Sequence, residues 1–244
     1  MEKLLSIGQT AKILGCSVDT LRRWDKSGRF LAVRRSKKRG SHRYYRLSDL
    51  EEFSKTLDGF RLAKKWMADK KGLEPLAPYY CSNSYVFQAR LSRMEKELGE
   101  KGEARNFFPL LVAVAGEIGN NSFDHNLGNW PDIAGAFFNY NLDKREIVLA
   151  DRGQGILKTL RQVRPKLKNH AEALRTAFTE IISGRLPEHR GNGLKYVKEI
   201  VTTSRMKLFF QTGNAQLNLN KKNSMRGIRT PNFSLRGCLA KIEF

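Results

Sequence analysis

Apolar residues recur three and four positions apart through most of the chain and alternate with polar ones only in short stretches, the patterning of a mixed α and β protein. The first run is Ile7, Ala11 and Leu14. Ser6 and Gln9 stand at capping-box spacing in front of it and Gly15 closes it, which predicts a short helix. A second run, Val18, Leu21 and Trp24, starts behind Ser17 as its cap and leaves Asp19, Thr20, Arg22, Arg23 and Lys26 facing outward. The stretch FLAVRRSKKRGSHRYYRL then alternates, predicting a hairpin with Gly40 at its tip. Strand neighbours point to opposite faces, so at least one of Tyr44 and Tyr45 packs inward. Ser48 and Glu51 are placed to cap a third helix, SDLEEFSKTL. Helix, glycine turn, helix, hairpin, helix is the order of a winged helix-turn-helix.

From Phe60 the pattern permits a helix ending at Gly72, after which Pro75 and Pro78 break the chain. Its apolar stripe, Leu62, Trp66 and Met67, suits either a dimer contact or packing within the same chain. Firmer helices are predicted over Ser84–Leu98 and Leu110–His125, the latter with Leu110, Leu111, Val114 and Ile118 on one side. Strands are expected over Ala134–Asn141 and Glu146–Leu149, and again in MKLFFQT, AQLNLN and GCLAKIEF. The predicted organisation is a mostly α winged helix-turn-helix over residues 1–59, a linker helix and loop over 60–83, and an α/β unit over 84–244, an α+β chain overall.

Charge sharpens this division. The 45 Lys and Arg against 24 Asp and Glu give a formal charge of +21, which suits a polyanionic partner. The density peaks in Leu31–Arg46, with seven basic residues and no carboxylate, so the hairpin is a wing able to lay Arg34, Arg35, Lys37, Lys38, Arg39, Arg43 and Arg46 along phosphates. Cys16, Cys81 and Cys238 are isolated from one another and from histidines at ligand spacing, which argues against a disulfide framework or a zinc site and for a reducing, cytoplasmic setting. No apolar run has the length of a signal peptide or a membrane span.

Three segments carry candidate chemistry. In EIGNNSFDHN, Glu117, Asn121 and His125 are four apart and share a helical face. The Asn121 amide oxygen can ligate Mg²⁺, Glu117 can orient or deprotonate an attacking group, and His125 can donate to a phosphate. In DRGQGI, Asp151 follows a strand and Gly153 and Gly155 let the backbone turn tightly against a flat ligand, leaving the carboxylate to accept from an exocyclic amine. In RGNGL, Gly191 and Gly193 stand directly before a helix, where backbone N–H groups can meet phosphates. Between the last two, Ile156–Arg190 reads as a basic, lid-like stretch. Taken singly, each segment also reads as the polar face of a helix or a turn punctuated by glycine.

The amino-terminal residues SIGQTAKILGCSVDTLRRWDKSGRF and GSHRYYRLSDLEEF resemble the winged helix-turn-helix of the MerR and excisionase-like group. That resemblance implies binding to double-stranded DNA, with Thr20, Arg22 and Arg23 as base or phosphate contacts and His42, Arg43 and Tyr45 near the wing. The order and spacing of EIGNNSFDHN, DRGQGI and RGNGL are similar to the GHKL group of Bergerat-fold ATP-binding proteins, which includes histidine kinases, gyrase-type ATPases and anti-sigma-factor kinases. By that resemblance the fold over Ser84–Phe244 is a two-layer α/β sandwich and the ligand is ATP with magnesium. Glu117 and Asn121 take the first-motif roles, Asp151, Gly153, Gly155 and Ile156 the adenine-side roles, and Gly191, Asn192, Gly193 and Leu194 the lid-to-helix role.

Two departures stand out. Cys238 follows Gly237 where the group often has threonine, and Asn220–Leu235 is a long basic insert. None of the four histidines lies on a dimerising helix of the histidine-kinase kind, which argues against autophosphorylation. The expectation is a DNA-binding regulator whose ATP domain senses nucleotide or drives a conformational change, with a homodimer or a protein partner as further options. The alternatives are a serine or threonine kinase of the anti-sigma-factor type directed to DNA, and a recombination-accessory DNA binder.

Overall fold

A computed structural model describes residues 2–34, 36, 41–101, 107–181, 193–223, 225 and 227–244. The amino-terminal part opens with β1 (Leu4–Ser6), α1 (Ile7–Ile13) and α2 (Val18–Lys26), followed by β2 (Val33–Arg34), β3 (Arg43–Arg46) and α3 (Leu47–Lys55). The Ser6 and Gln9 capping box is formed in both directions, Ser6 N–H donating to Gln9 Oε1 at 2.8 Å and Gln9 N–H to Ser6 Oγ at 3.3 Å. Ser17 Oγ accepts from the Thr20 N–H at 3.1 Å and so starts α2. The third helix starts differently from the expectation. Arg46 stands at its N-cap without a side-chain capping bond, and Ser48 Oγ donates to Glu2 Oε1 instead.

The three short strands form an antiparallel sheet in the order β1-β3-β2. Leu5, Leu14, Leu21, Phe30, Tyr45 and Leu50 are buried between sheet and helices, with the Phe30 ring 4.7 Å from Tyr45 and 4.3 Å from Phe53. The proposed hairpin tip at Gly40 lies outside the described residues.

The larger sheet joins β4 (Tyr80–Cys81), β5 (Ala136–Asn141), β6 (Glu146–Asp151), β7 (Lys207–Gly213), β8 (Ala215–Leu219) and β9 (Leu235–Glu243). Its order is β4-β5-β6-β9-β7-β8 and every neighbouring pair is antiparallel, so the last strand of the chain is inserted at the centre. Alternation along β6 divides its side chains between two cores: Ile147 and Leu149 to one face, Val148 and Ala150 to the other. The first face is covered by α5 (Ser84–Glu100), α6 (Phe108–Asp124), α7 (Gly155–Arg161), α8 (His170–Thr179) and α9 (Gly193–Thr203).

The second face is covered by α4 (Gly59–Ala68). Leu62, Ala63 and Met67 are buried there with Phe137, Val148, Ala150 and Leu239, and the amino-terminal core belongs to the same apolar cluster. Full burial of Leu62 and Met67 is worth roughly 1.5–3 kcal/mol each, enough to fix the helix in place. Of the two uses open to this stripe, packing within the same chain is the one observed. Helix α4 stops at Ala68 rather than Gly72, because the buried Arg152 guanidinium takes the carbonyls of Trp66 and Met67 at 2.5 and 3.1 Å. The stretch expected as a lid also differs: α7 and α8 bury Leu157, Leu160, Ala173, Leu174 and Phe178 in the core.

Candidate functional site

Helix α6 presents two faces. Leu111, Val114 and Ile118 are buried against the sheet and α5, while Glu117, Asn121 and His125 look into a cavity of about 100 Å³. The same cavity is lined by Asp151 at the end of β6, Gly155 and Ile156 at the start of α7, Gly193 and Leu194 at the start of α9, and Cys238 on β9. Its walls mix apolar surface with a few convergent polar groups, the lining of a small-molecule site.

Within it the polar groups are held by one another. Asn121 Nδ2 donates to Glu117 Oε1 at 3.1 Å. Asp151 is 2 % exposed; its Oδ2 accepts from Ser122 Oγ at 3.0 Å and its Oδ1 from the Gly153 N–H at 2.8 Å. Burial outweighs these donors and pushes the Asp151 carboxyl up to about 6. Burial, and secondarily the Asp151 charge, keeps the Cys238 thiol well above its ordinary range. Asn126 ties the end of α6 to the glycine turn, donating to the Ser122 carbonyl and accepting from the Gln154 N–H, both at 2.7 Å. A side chain at Gly153 would run into the Asn126 amide, and one at Gly193 into the Glu117 carboxylate, so these two glycines allow the close approach that builds the cavity.

The sequence expectations fall out unevenly. Glu117, Asn121, His125, Asp151, Gly155, Ile156, Gly193 and Leu194 all line the one cavity, and Gly153 lies against the Asn126 amide of that lining. Gly191 and Asn192 lie outside the described residues. Sequence reasoning missed Ser122, Asn126 and Thr212. Ser122 and Asn126 sit inside the quoted motif and were available as hydrogen-bonding residues. Thr212 had no signal: it reaches the site only because β7 pairs it with Cys238, and there its Oγ1 accepts from the Ile156 N–H at 3.2 Å. Among the described residues, no three His, Cys, Asp or Glu side chains converge to hold a metal ion.

On the amino-terminal side, Arg22 and Arg23 are exposed along α2, Arg22 in an ion pair with Asp19 and Arg23 donating to Thr20 Oγ1 at 3.3 Å. His42 is exposed beside the hairpin. Arg34 and Arg43 are both paired with Asp25: each reaches Oδ2 at 2.6 Å, and the Ala32 N–H donates to Oδ1 at 3.0 Å. Burial works against the Asp25 charge, but the Ala32 N–H and the two guanidinium groups outweigh it and hold that carboxyl below its ordinary value. Tyr45 is a correction. At 1 % exposure its ring belongs to the core and has no surface to offer a duplex, because alternation along β3 turns it inward. Arg35, Lys37, Lys38 and Arg39 lie outside the described residues.

Among the described residues no helix is long and apolar enough to cross a membrane. No curated protein matches the chain. Residues 4–56 do match the family model of a helix-turn-helix domain, the span of β1 through α3; the chain thus carries a helix-turn-helix domain, which suggests DNA binding.

Proposed function

We propose that this chain is a DNA-binding regulator whose second unit, a Bergerat-type sandwich, binds adenine nucleotide with magnesium and passes its occupancy to the helix-turn-helix. One observation carries the reading: residues from the three motifs, on four separate elements, line a single cavity. The donor set fits the ligand. Asn121 offers a hard oxygen to Mg²⁺, Asp151 a buried acceptor to an exocyclic amine, and the Gly193 end of α9 its first N–H groups to phosphates. Thr212 supplies a hydroxyl close to where Cys238 replaces the group's usual threonine.

The route to the reader runs through consecutive residues. Asp151 faces the cavity, while Arg152 turns to the opposite face, pairs with Asp132 at 2.6 Å and holds the carboxyl end of α4. Helix α4 in turn packs on the amino-terminal core. DNA affinity measured with and without Mg-ATP tests this reading. A difference that disappears in Asn121→Ala supports it, and affinity indifferent to Mg-ATP refutes it.

The Asn121 hydrogen bond to Glu117 favours a second reading, a serine or threonine kinase, because it fixes a carboxylate beside the expected γ-phosphate. Incubation with γ-labelled ATP and cell extract would then label a partner protein, and Glu117→Gln would abolish the label.

A further inference from the structure

A second cavity, of about 340 Å³, lies away from the first, between the turn of the helix-turn-helix and α4. Its wall is aromatic and apolar, with Trp66, Tyr79 and Phe137 meeting Ile13 and Leu62. Tyr79 and Phe137 are stacked at 5.0 Å, and the Trp66 indole N–H is fixed by a bond to the Leu73 carbonyl at 2.6 Å, so the aromatic surface is preorganised. The reader's side of the cleft is cationic. Lys65 crosses Gly15 so closely that a Cβ there would strike its stem, and among the described residues its ammonium has no ion-pair partner. Lys12 adds a second cation and reaches Asp69 only at 3.9 Å. Burial raises the Cys16 thiol, but Lys65 and Arg61 act against that, marking the positive field at this end. Of the two carboxylates in the lining, Asp69 is engaged by Lys12 and by the Lys71 N–H, and Glu74 is exposed at the rim.

The geometry points to this cleft as a binding site for a flat aromatic carboxylate, its ring on Trp66 and its anion on Lys65. Such a ligand touches Gly15 and Cys16 immediately before Ser17, the cap of α2, so its occupancy bears on the helix that faces DNA. That consequence rests on the DNA-binding reading; the site itself does not.

The test uses 1-naphthoate as the probe on the full chain, followed by the indole N–H resonances of the three tryptophans. Trp66 should shift while Trp24 and Trp130, which do not line the cleft, stay in place. Lys65→Met keeps the stem over Gly15 and removes the charge, and it should weaken binding about tenfold, the scale of a lost charge-assisted hydrogen bond. Ala68→Trp, at an exposed position on the cleft lining, should block the shift without lowering the melting temperature. An unmoved Trp66 resonance, equal binding by Lys65→Met, or equal binding of the cationic 1-naphthylmethylamine overturns the assignment. A DNA affinity that ignores 1-naphthoate while Trp66 still shifts removes the regulatory consequence and leaves the site.

Discussion

Two buried aspartates, one in each half of the molecule, have met opposite fates. Asp25 in the reader is 7 % exposed and surrounded by compensation: two guanidinium groups and a backbone N–H. Asp151 is 2 % exposed and receives only neutral donors, so its carboxyl rises to about 6. A buried charge that is fully matched serves the fold; one left without a cation beside a cavity has its proton affinity set by burial instead. The nearest cation in sequence, Arg152, is turned away by strand alternation and spent on Asp132 and α4.

The largest effect should come from breaking the matched site. Asp25→Ala leaves Arg34 and Arg43 without their shared carboxylate and the Ala32 N–H without an acceptor. The loss should be about 3 kcal/mol, moderated because both arginines are partly exposed, and should appear as a lowered denaturation midpoint together with lost DNA affinity. The Asp25 carboxyl is held below its unfolded value, so its contribution is present above that value and is lost only as pH falls through the depressed one. Between pH 5 and 8 the cost of Asp25→Ala should be flat. A cost that changes across this range would contradict the pairing.

Arg152→Met comes next, at about 2–3 kcal/mol, since it strips a 1 % exposed cation from the α4 carbonyls while Arg236 still holds Asp132 at 2.6 Å. Hydrogen exchange in α4 should rise more than in α5. Equal protection in both would mean that Arg152 does not anchor α4.

Asp151→Asn should run the other way. The folded carboxyl lies above its unfolded value of 3.8, so stability is greatest at low pH and falls as pH rises through about 4 to 6. An amide can still accept from the Gly153 N–H and can donate to Ser122 Oγ. At pH 8 the variant should gain about 2 kcal/mol and, on the proposed reading, bind adenine nucleotide less well. A loss of stability at pH 8 would show that the charged form is not under strain.

The contrast between the two aspartates was only half legible in the sequence. Periodicity located α1, α2, α5 and α6 closely, because each has a strong apolar face and a recognisable cap or breaker. It missed β1, three residues long and defined only by its partner β3. It left the use of the α4 stripe open and took α7 to α8 for a lid, because an apolar stripe does not say whether it meets another chain, a ligand or its own sheet. Asp151 was found because glycines two and four residues on give it a signature. Asp25 was missed because its partners lie nine and eighteen residues away and meet only once β2 and β3 pair. Those same arginines looked like free wing cations in a segment that contains no carboxylate.

The smallest change refines the comparison most directly. Ser122→Ala removes one of the neutral donors to Asp151 and touches no cation. A hydrogen bond to a charged acceptor is about twice as strong as one between neutral groups, so its loss costs more where Asp151 is ionised. The variant should lose about 1 kcal/mol at pH 8 and less at pH 5. Melts at both values of pH read this difference, and the same pair of melts on Asp25→Ala should show none. If Ser122→Ala is equally costly at pH 5 and 8, Asp151 keeps one protonation state across that range and the two aspartates are more alike than their surroundings imply.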